Sequence, residues 1–184
     1  MLRAEETTSD AVLSIGLKGP GAIWVDGVSL LPAELPDDMP LREDLYQAIK
    51  ALRPAFIRWP GGCFAEHYRW RDGVGPTDKR VPKPNYTWGG IDPNTFGTDE
   101  FVALCRALGA EPMMCLNIGH HDSPDHLEAY IAEALDWIEY CNGEASTPLG
   151  DLRATNGHRE PYGVRYWEIG NETWSLGAEE YCRR

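Results

Sequence analysis

Gly163-Val164-Arg165-Tyr166-Trp167-Glu168-Ile169-Gly170-Asn171-Glu172 runs from a β-favouring stretch into a glycine turn that carries an amide and a carboxylate. Read as a strand over Gly163–Ile169, it ends where its polar residues begin. Two earlier stretches repeat the pattern. Ala55–Trp59 follows a helix that Pro54 stops, and it leads into Pro60-Gly61-Gly62-Cys63. Pro112–Ile118 leads into a polar loop that runs to His121. Between these strands the apolar spacing changes to that of helices. Leu41, Leu45, Ala48, Ile49 and Leu52 share one face. Thr98 is expected to cap a second helix with Asp99 and Glu100 in its first turn, face residues Phe101, Cys105 and Leu108, and a stop at Gly109. Ser123 and Pro124 open a third, whose stripe is Leu127, Tyr130, Ile131, Ala134, Leu135, Ile138 and Cys141. Helices alternating with mostly apolar strands predict an α/β fold, a parallel sheet covered by helices. In such folds the C-terminal strand ends form the active face, which is where the polar clusters fall.

Outward from this frame, the 184 residues allow one domain or one domain and a piece of another. Before the helices lie two β-rich runs, Ala11–Leu17 and Ala22–Leu30, parted by Gly19-Pro20-Gly21. They read as the last strands of a separate β-domain over residues 1–32, with residues 33–40 as a linker. A complete (β/α)8 barrel takes about 250 residues. Residues 41–184 supply three convincing strands and end in a helix just begun, so they are expected to be the N-terminal part of a barrel truncated at its C-terminus. Residues 1–10 carry Glu5, Glu6 and Asp10 and lack a signal peptide's apolar stretch, and no run approaches the roughly 20 apolar residues of a membrane span. A net charge of −12 disfavours nucleic acid and anionic membranes, while a neutral sugar meets no such repulsion. Acidity that merely keeps a protein soluble fits the charge equally well. The five scattered cysteines contain no CxxC pair and read as mostly buried thiols, with one bridged pair left open.

The candidate chemistry centres on Glu172. A retaining glycosidase needs a carboxylic acid that protonates the leaving oxygen and a second carboxylate about 5–5.5 Å away. It also gains from a donor to a sugar hydroxyl, a role that suits the Asn171 amide. Trp167 and Trp174 are placed to offer aromatic surface and to shield Glu172 from water. A solvated strand-end glutamate is the plain alternative for the tripeptide alone. Glu168 precedes Glu172 by four residues, about 13 Å along an extended strand, too far for the second carboxylate. Gly61 and Gly62 let the backbone approach a ligand, and Arg58 reads as a residue that orients a carboxylate from behind the site. Cys63 reads as a small pocket-lining residue rather than a thiol nucleophile. His120-His121-Asp122-Ser123-Pro124-Asp125-His126 lacks the HExxH spacing, so a polar loop is expected and neither metal nor cofactor. Tyr68, Trp70, Tyr86 and Trp88 either line a saccharide groove or anchor loops.

Taken in order, these motifs resemble glycoside hydrolase family 51, the α-L-arabinofuranosidases. The resemblance is carried by Arg58-Trp59-Pro60-Gly61-Gly62-Cys63-Phe64, Arg69-Trp70-Arg71-Asp72-Gly73-Val74-Gly75-Pro76 and Phe96-Gly97-Thr98-Asp99-Glu100-Phe101. It continues through Gly109-Ala110-Glu111-Pro112, Glu133-Ala134-Leu135-Asp136-Trp137-Ile138-Glu139-Tyr140 and Gly170-Asn171-Glu172. It implies a retaining (β/α)8 enzyme that removes terminal α-L-arabinofuranosyl groups, with Glu172 as acid/base and Asn171 as a substrate contact. Cys63 then falls at a pocket position that holds Asn in other branches, with Gly62 and Trp174 beside the substrate. The nucleophile falls beyond Arg184, so this chain alone is expected to be inactive. Residues 17–30 resemble the end of a carbohydrate-binding β-sandwich. A xylanase or endoglucanase of the same architecture, or a non-catalytic carbohydrate-binding protein, are the alternatives. The expected partner is an arabinose-containing saccharide, with a homo-oligomer left open for the full-length protein.

Overall fold

The computed structural model describes residues 8–26, 28, 41–119 and 126–183. Three parallel strands form its centre: β1 (Phe56–Trp59), β4 (Glu111–Leu116) and β5 (Tyr166–Ile169), adjacent in that order. A short antiparallel hairpin, β2 (Lys83–Pro84) with β3 (Ile91–Asp92), projects from the β1–β4 connection. The helices are α1 (Glu43–Leu52), α2 (Thr98–Leu108), α3 (Leu127–Asn142), α4 (Pro148–Thr155) and α5 (Ala178–Arg183). Trp59 pairs with Met114, and Cys115 with Glu168. Side chains alternate across a strand, so this register sorts the sheet into two faces. Ile57, Trp59, Met114, Leu116 and Trp167 meet the core under α2 and α3. Arg58, Cys115 and Glu168 line the opposite face.

The core is aromatic. Trp59 stacks on Phe101 at 5.4 Å and meets Tyr68 and Trp137 edge-on, and Trp70, Tyr140 and Cys141 are fully or almost fully buried. Thr98 turns out to be the first helical residue of α2 rather than its cap. Gly97 precedes the helix, and its N–H donates to Glu100 Oε2 at 2.8 Å. The Thr98 hydroxyl accepts instead from Trp137 Nε1 at 3.0 Å, which ties α2 to α3. Asp99 lies beside it, buried, accepting from the hydroxyls of Tyr140 at 2.9 Å and Tyr162 at 2.8 Å.

Burial holds the Asp99 carboxyl above its ordinary value of 3.8, while the two tyrosine hydroxyls pull it back down. A carboxyl raised by folding stabilises most while it is protonated in both states, and that advantage is lost as pH rises through the folded value. Wild type should therefore exceed an Asp99→Asn variant by the widest margin below about pH 3.8. Urea midpoints measured as pH is raised should converge on, or cross, those of the variant. A margin that grew with pH would contradict a raised carboxyl.

Several sequence expectations change here. The runs Ala11–Leu17 and Ala22–Leu30 form no strand among residues 8–26 and 28. A two-stranded unit with no sheet to join is marginal in water, and Val12 and Trp24 are 84% and 91% exposed. The linker over residues 33–40, and the loop from His120 with Ser123 and Pro124, lie outside the described residues. The α1 face is also left open: Leu45 and Leu52 are exposed, and Tyr46 reaches α2 through one hydrogen bond to the Ala107 carbonyl. The polar stretch after α3 contains a helix the periodicity did not announce, α4, capped by the Thr147 side chain on Gly150 N–H. All five cysteines are free thiols, with Cys105, Cys115 and Cys141 buried. No helix among the described residues is long and apolar enough to cross a membrane.

Candidate active site

The strand ends bring Arg58, Cys63, Asn171 and Glu172 together. Arg58 projects from β1 beside Glu168 of β5, and its Nη1 donates to Glu168 Oε2 at 2.6 Å. The same nitrogen donates to Asn171 Oδ1 at 3.1 Å and approaches Cys115 Sγ at 3.9 Å. The Glu168 carboxylate raises the Arg58 guanidinium further above its usual value. Burial, joined by that same carboxylate, pushes the Cys115 thiol up to about 12. One guanidinium nitrogen thus holds Glu168 and Asn171 at once.

Asn171 is buried at 3% exposure. With Oδ1 taken by Arg58, its orientation is set, and the buried Nδ2 finds no hydrogen-bond partner among the described residues. A buried donor left unmatched is costly unless a ligand or another group meets it. Gly170 makes the turn possible: its φ is 72°, and a Cβ there would stand 2.7 Å from Thr173 and 2.8 Å from Ile118. Glu172 itself takes a left-handed conformation (φ 47°, ψ 41°), which costs a residue with a Cβ about 1–2 kcal/mol. That turn swings its carboxylate toward the β1 end, where the Cys63 thiol donates to Oε2 at 3.8 Å.

Cys63 sits in the 3-10 turn Gly62–Glu66, entered through the cis Trp59–Pro60 bond and a Gly62 φ of 59°. Trp88 packs near Gly62, and the Thr87 hydroxyl donates to the Cys63 carbonyl at 3.3 Å, so the second loop buttresses the first. Desolvation, then the negative charges of Glu66 and Glu172, push the Cys63 thiol above its usual value, so it remains a thiol and serves as a donor.

The aromatic shielding of Glu172 is not formed as expected. Trp167 faces the core, meeting Trp137 edge-on at 6.0 Å with its Nε1 donating to the Val164 carbonyl. Trp174 follows Glu172 in the turn Thr173–Leu176 and is 82% exposed, and Glu172 is exposed as well. Tyr68 and Trp70 belong to the core, whereas Tyr86 and Trp88 stand exposed. No group of three His, Cys, Asp or Glu side chains among the described residues is placed to hold a metal ion.

Residues 48–184 match the family described as the α-L-arabinofuranosidase 1 domain. The chain belongs to the α-L-arabinofuranosidases of glycoside hydrolase family 51. It is 46% identical over 140 residues to probable α-L-arabinofuranosidase C of Aspergillus flavus, a match covering 76% of this chain and 26% of that protein. To the intracellular exo-α-L-arabinofuranosidase of Bacteroides ovatus it is 37% identical over 159 residues, covering 86% of this chain and 29% of that protein. Among solved structures it resembles the α-L-arabinofuranosidase of Thermotoga maritima in complex with arabinose, with a TM-score of 0.66 and 42% identity, over 76% of this chain and 27% of that one. The chain therefore spans between a quarter and a third of the length of these relatives.

Proposed function

We propose that this chain supplies the acid/base half of a retaining exo-α-L-arabinofuranosidase. In this reading residues 41–184 form the first part of a (β/α)8 barrel, and residues 1–32 the end of a carbohydrate-binding-like β-sandwich. The observation that carries it is the Asn171 amide. Arg58 holds its oxygen at 3.1 Å, which fixes the amide in the turn beside Glu172 and leaves the buried Nδ2 as its unmatched donor. A sugar hydroxyl is the acceptor this donor needs, and hydrogen bonds to it strengthen as the oxocarbenium-like transition state forms.

Glu172 acts twice. As an acid it donates its proton to the glycosidic oxygen while a carboxylate from outside residues 1–184 attacks the anomeric carbon. As a base it then takes a proton from the water that breaks the covalent intermediate. Glu168 is not that nucleophile, because its charge is engaged by Arg58 at 2.6 Å. Cys63 steadies the Glu172 carboxylate, Gly62 brings the backbone close, and Trp174 offers an exposed ring to the part of the substrate that leaves. The reaction requires no metal or cofactor and no nucleic-acid or membrane partner.

The intact protein should release arabinose as the only free sugar from arabinoxylan, leaving the debranched xylan chain. Xylo-oligosaccharides appearing instead would favour a xylanase-type barrel hydrolase. Binding without any product would favour a carbohydrate-binding protein.

A further inference from the structure

A cavity of about 310 Å³ opens beside the turn that carries Cys63. Its walls come from Phe64 and Glu66 of that turn, from Asp72, and from Lys83, Tyr86 and Asp92 in and beside the β2–β3 hairpin. This volume lies at the small end of the about 300–1,000 Å³ typical of ligand pockets. Three steps of 3-10 helix, about 6 Å, carry the chain from Cys63 to Glu66, so one short element borders both Glu172 and the cavity.

Its chemistry narrows the ligand. The arginine and the lysine are already matched: Arg69 pairs with Glu133, and Lys83 Nζ lies 3.6 Å from Asp72 Oδ1. With these neutralised and a chain charge of −12, an anion meets no net attraction. A metal ion is not favoured either, because the carboxylates do not converge with other ligating side chains among the described residues. What remains suits a neutral, hydroxyl-rich molecule. Asp92 uses one oxygen to accept the Asn94 N–H at 2.8 Å, and its other oxygen has no partner among the described residues. The same cavity is lined by Tyr86, 77% exposed and braced edge-on by His67 at 6.1 Å. An aromatic face with a polar tip, beside an open carboxylate oxygen, matches a sugar ring: C–H face on the ring, hydroxyls on the acceptors.

We propose that this cavity binds a pentose unit of the polysaccharide that carries the arabinofuranosyl group, which rests on the arabinofuranosidase reading above. The unit is a xylose of a xylan or an arabinose of an arabinan, since both present the same neutral hydroxyls.

The test is calorimetric titration of the intact protein carrying Glu172→Gln, which spares the substrate. Two probes are used, an arabinoxylo-oligosaccharide and a linear arabino-oligosaccharide. Tyr86→Ala removes the exposed ring without touching the core. Asp92→Asn keeps the acceptor for the Asn94 N–H and turns the open oxygen into a donor. Each is expected to weaken Kd about tenfold for at least one probe, and the probe affected identifies the polymer. Unchanged Kd in both variants with both probes, or no binding of either probe before the cavity is altered, would overturn the proposal. The reading it rests on fails differently, by the absence of arabinose release from wild type, and the titration decides the cavity in that case too.

Discussion

Replacing Glu172 by alanine in the intact protein is expected to slow hydrolysis of arabinosides with poor leaving groups by about 10²–10⁴-fold, the usual worth of a positioned general acid. Aryl arabinofuranosides with activated leaving groups need little protonation, so they should still load the enzyme. Water then lacks its base, and the covalent intermediate should accumulate as a burst followed by a slow phase. Azide requires no base and should restore turnover, giving an arabinosyl azide of retained configuration. An inverted azide would make Glu172 the nucleophile. Unaltered rates on every substrate would remove Glu172 from the chemistry altogether. The geometry argues for the first outcome, because Glu172 sits exposed at the strand end with the Cys63 thiol on one oxygen and the Asn171 amide in the same turn.

Much of this arrangement could be read from the chain, for a physical reason. Strand ends are marked by abrupt changes from apolar to polar residues, so Gly61-Gly62-Cys63 and Gly170-Asn171-Glu172 were visible as neighbours on one face of a parallel sheet. The ion pair of Arg58 with Glu168 was half visible: Arg58 read as orienting a carboxylate, but which one depends on register. Only once Cys115 is set opposite Glu168 does the period-2 alternation align Arg58, Cys115 and Glu168 on one face. Trp167 was misplaced for the same reason, since one step along the strand decides between the site and the core. The contacts of Thr87 and Trp88 with the Cys63 turn come from a loop more than twenty residues away, where no periodicity operates. Helix α4 carried a start signal, Thr147 as cap with Pro148 at its first position, but its polar face shows no apolar period, and the arginine that stabilises it carries no sequence signal for burial.

That arginine, Arg153, is expected to be the most costly single substitution for stability. It is completely buried, and it forms no salt bridge among the described residues. Its guanidinium instead donates to four backbone carbonyls: Tyr140 at 2.6 Å, Gly143 at 2.8 Å, His158 at 3.0 Å and Arg159 at 3.1 Å. Two of those carbonyls end α3 and two belong to the loop after α4, so one side chain closes the whole connection. Arg153→Leu would leave four acceptors, the Tyr140 carbonyl buried among them, facing an alkyl group, and hydrogen bonds from a charged donor are each worth more than neutral ones. A loss of about 3–5 kcal/mol is expected, because each hydrogen bond from a charged donor is worth about 1.5–3 kcal/mol and the buried Tyr140 carbonyl keeps no replacement. Arg153→Lys should recover only part of it, because three donors on a point charge cannot span a fork of four acceptors. The loss would reach the active site through the chain. The Tyr162 N–H donates to the Cys141 carbonyl at 2.7 Å, and Asn142 pairs with Val164 through both its amide atoms at 2.8 and 2.9 Å. These bonds set where β5 begins, and β5 leads through Gly170 into Asn171 and Glu172. In the intact protein, activity of Arg153→Leu should therefore fail at a lower urea concentration than in wild type, together with tryptophan fluorescence. A midpoint within the error of wild type would show that the four carbonyls are satisfied without it.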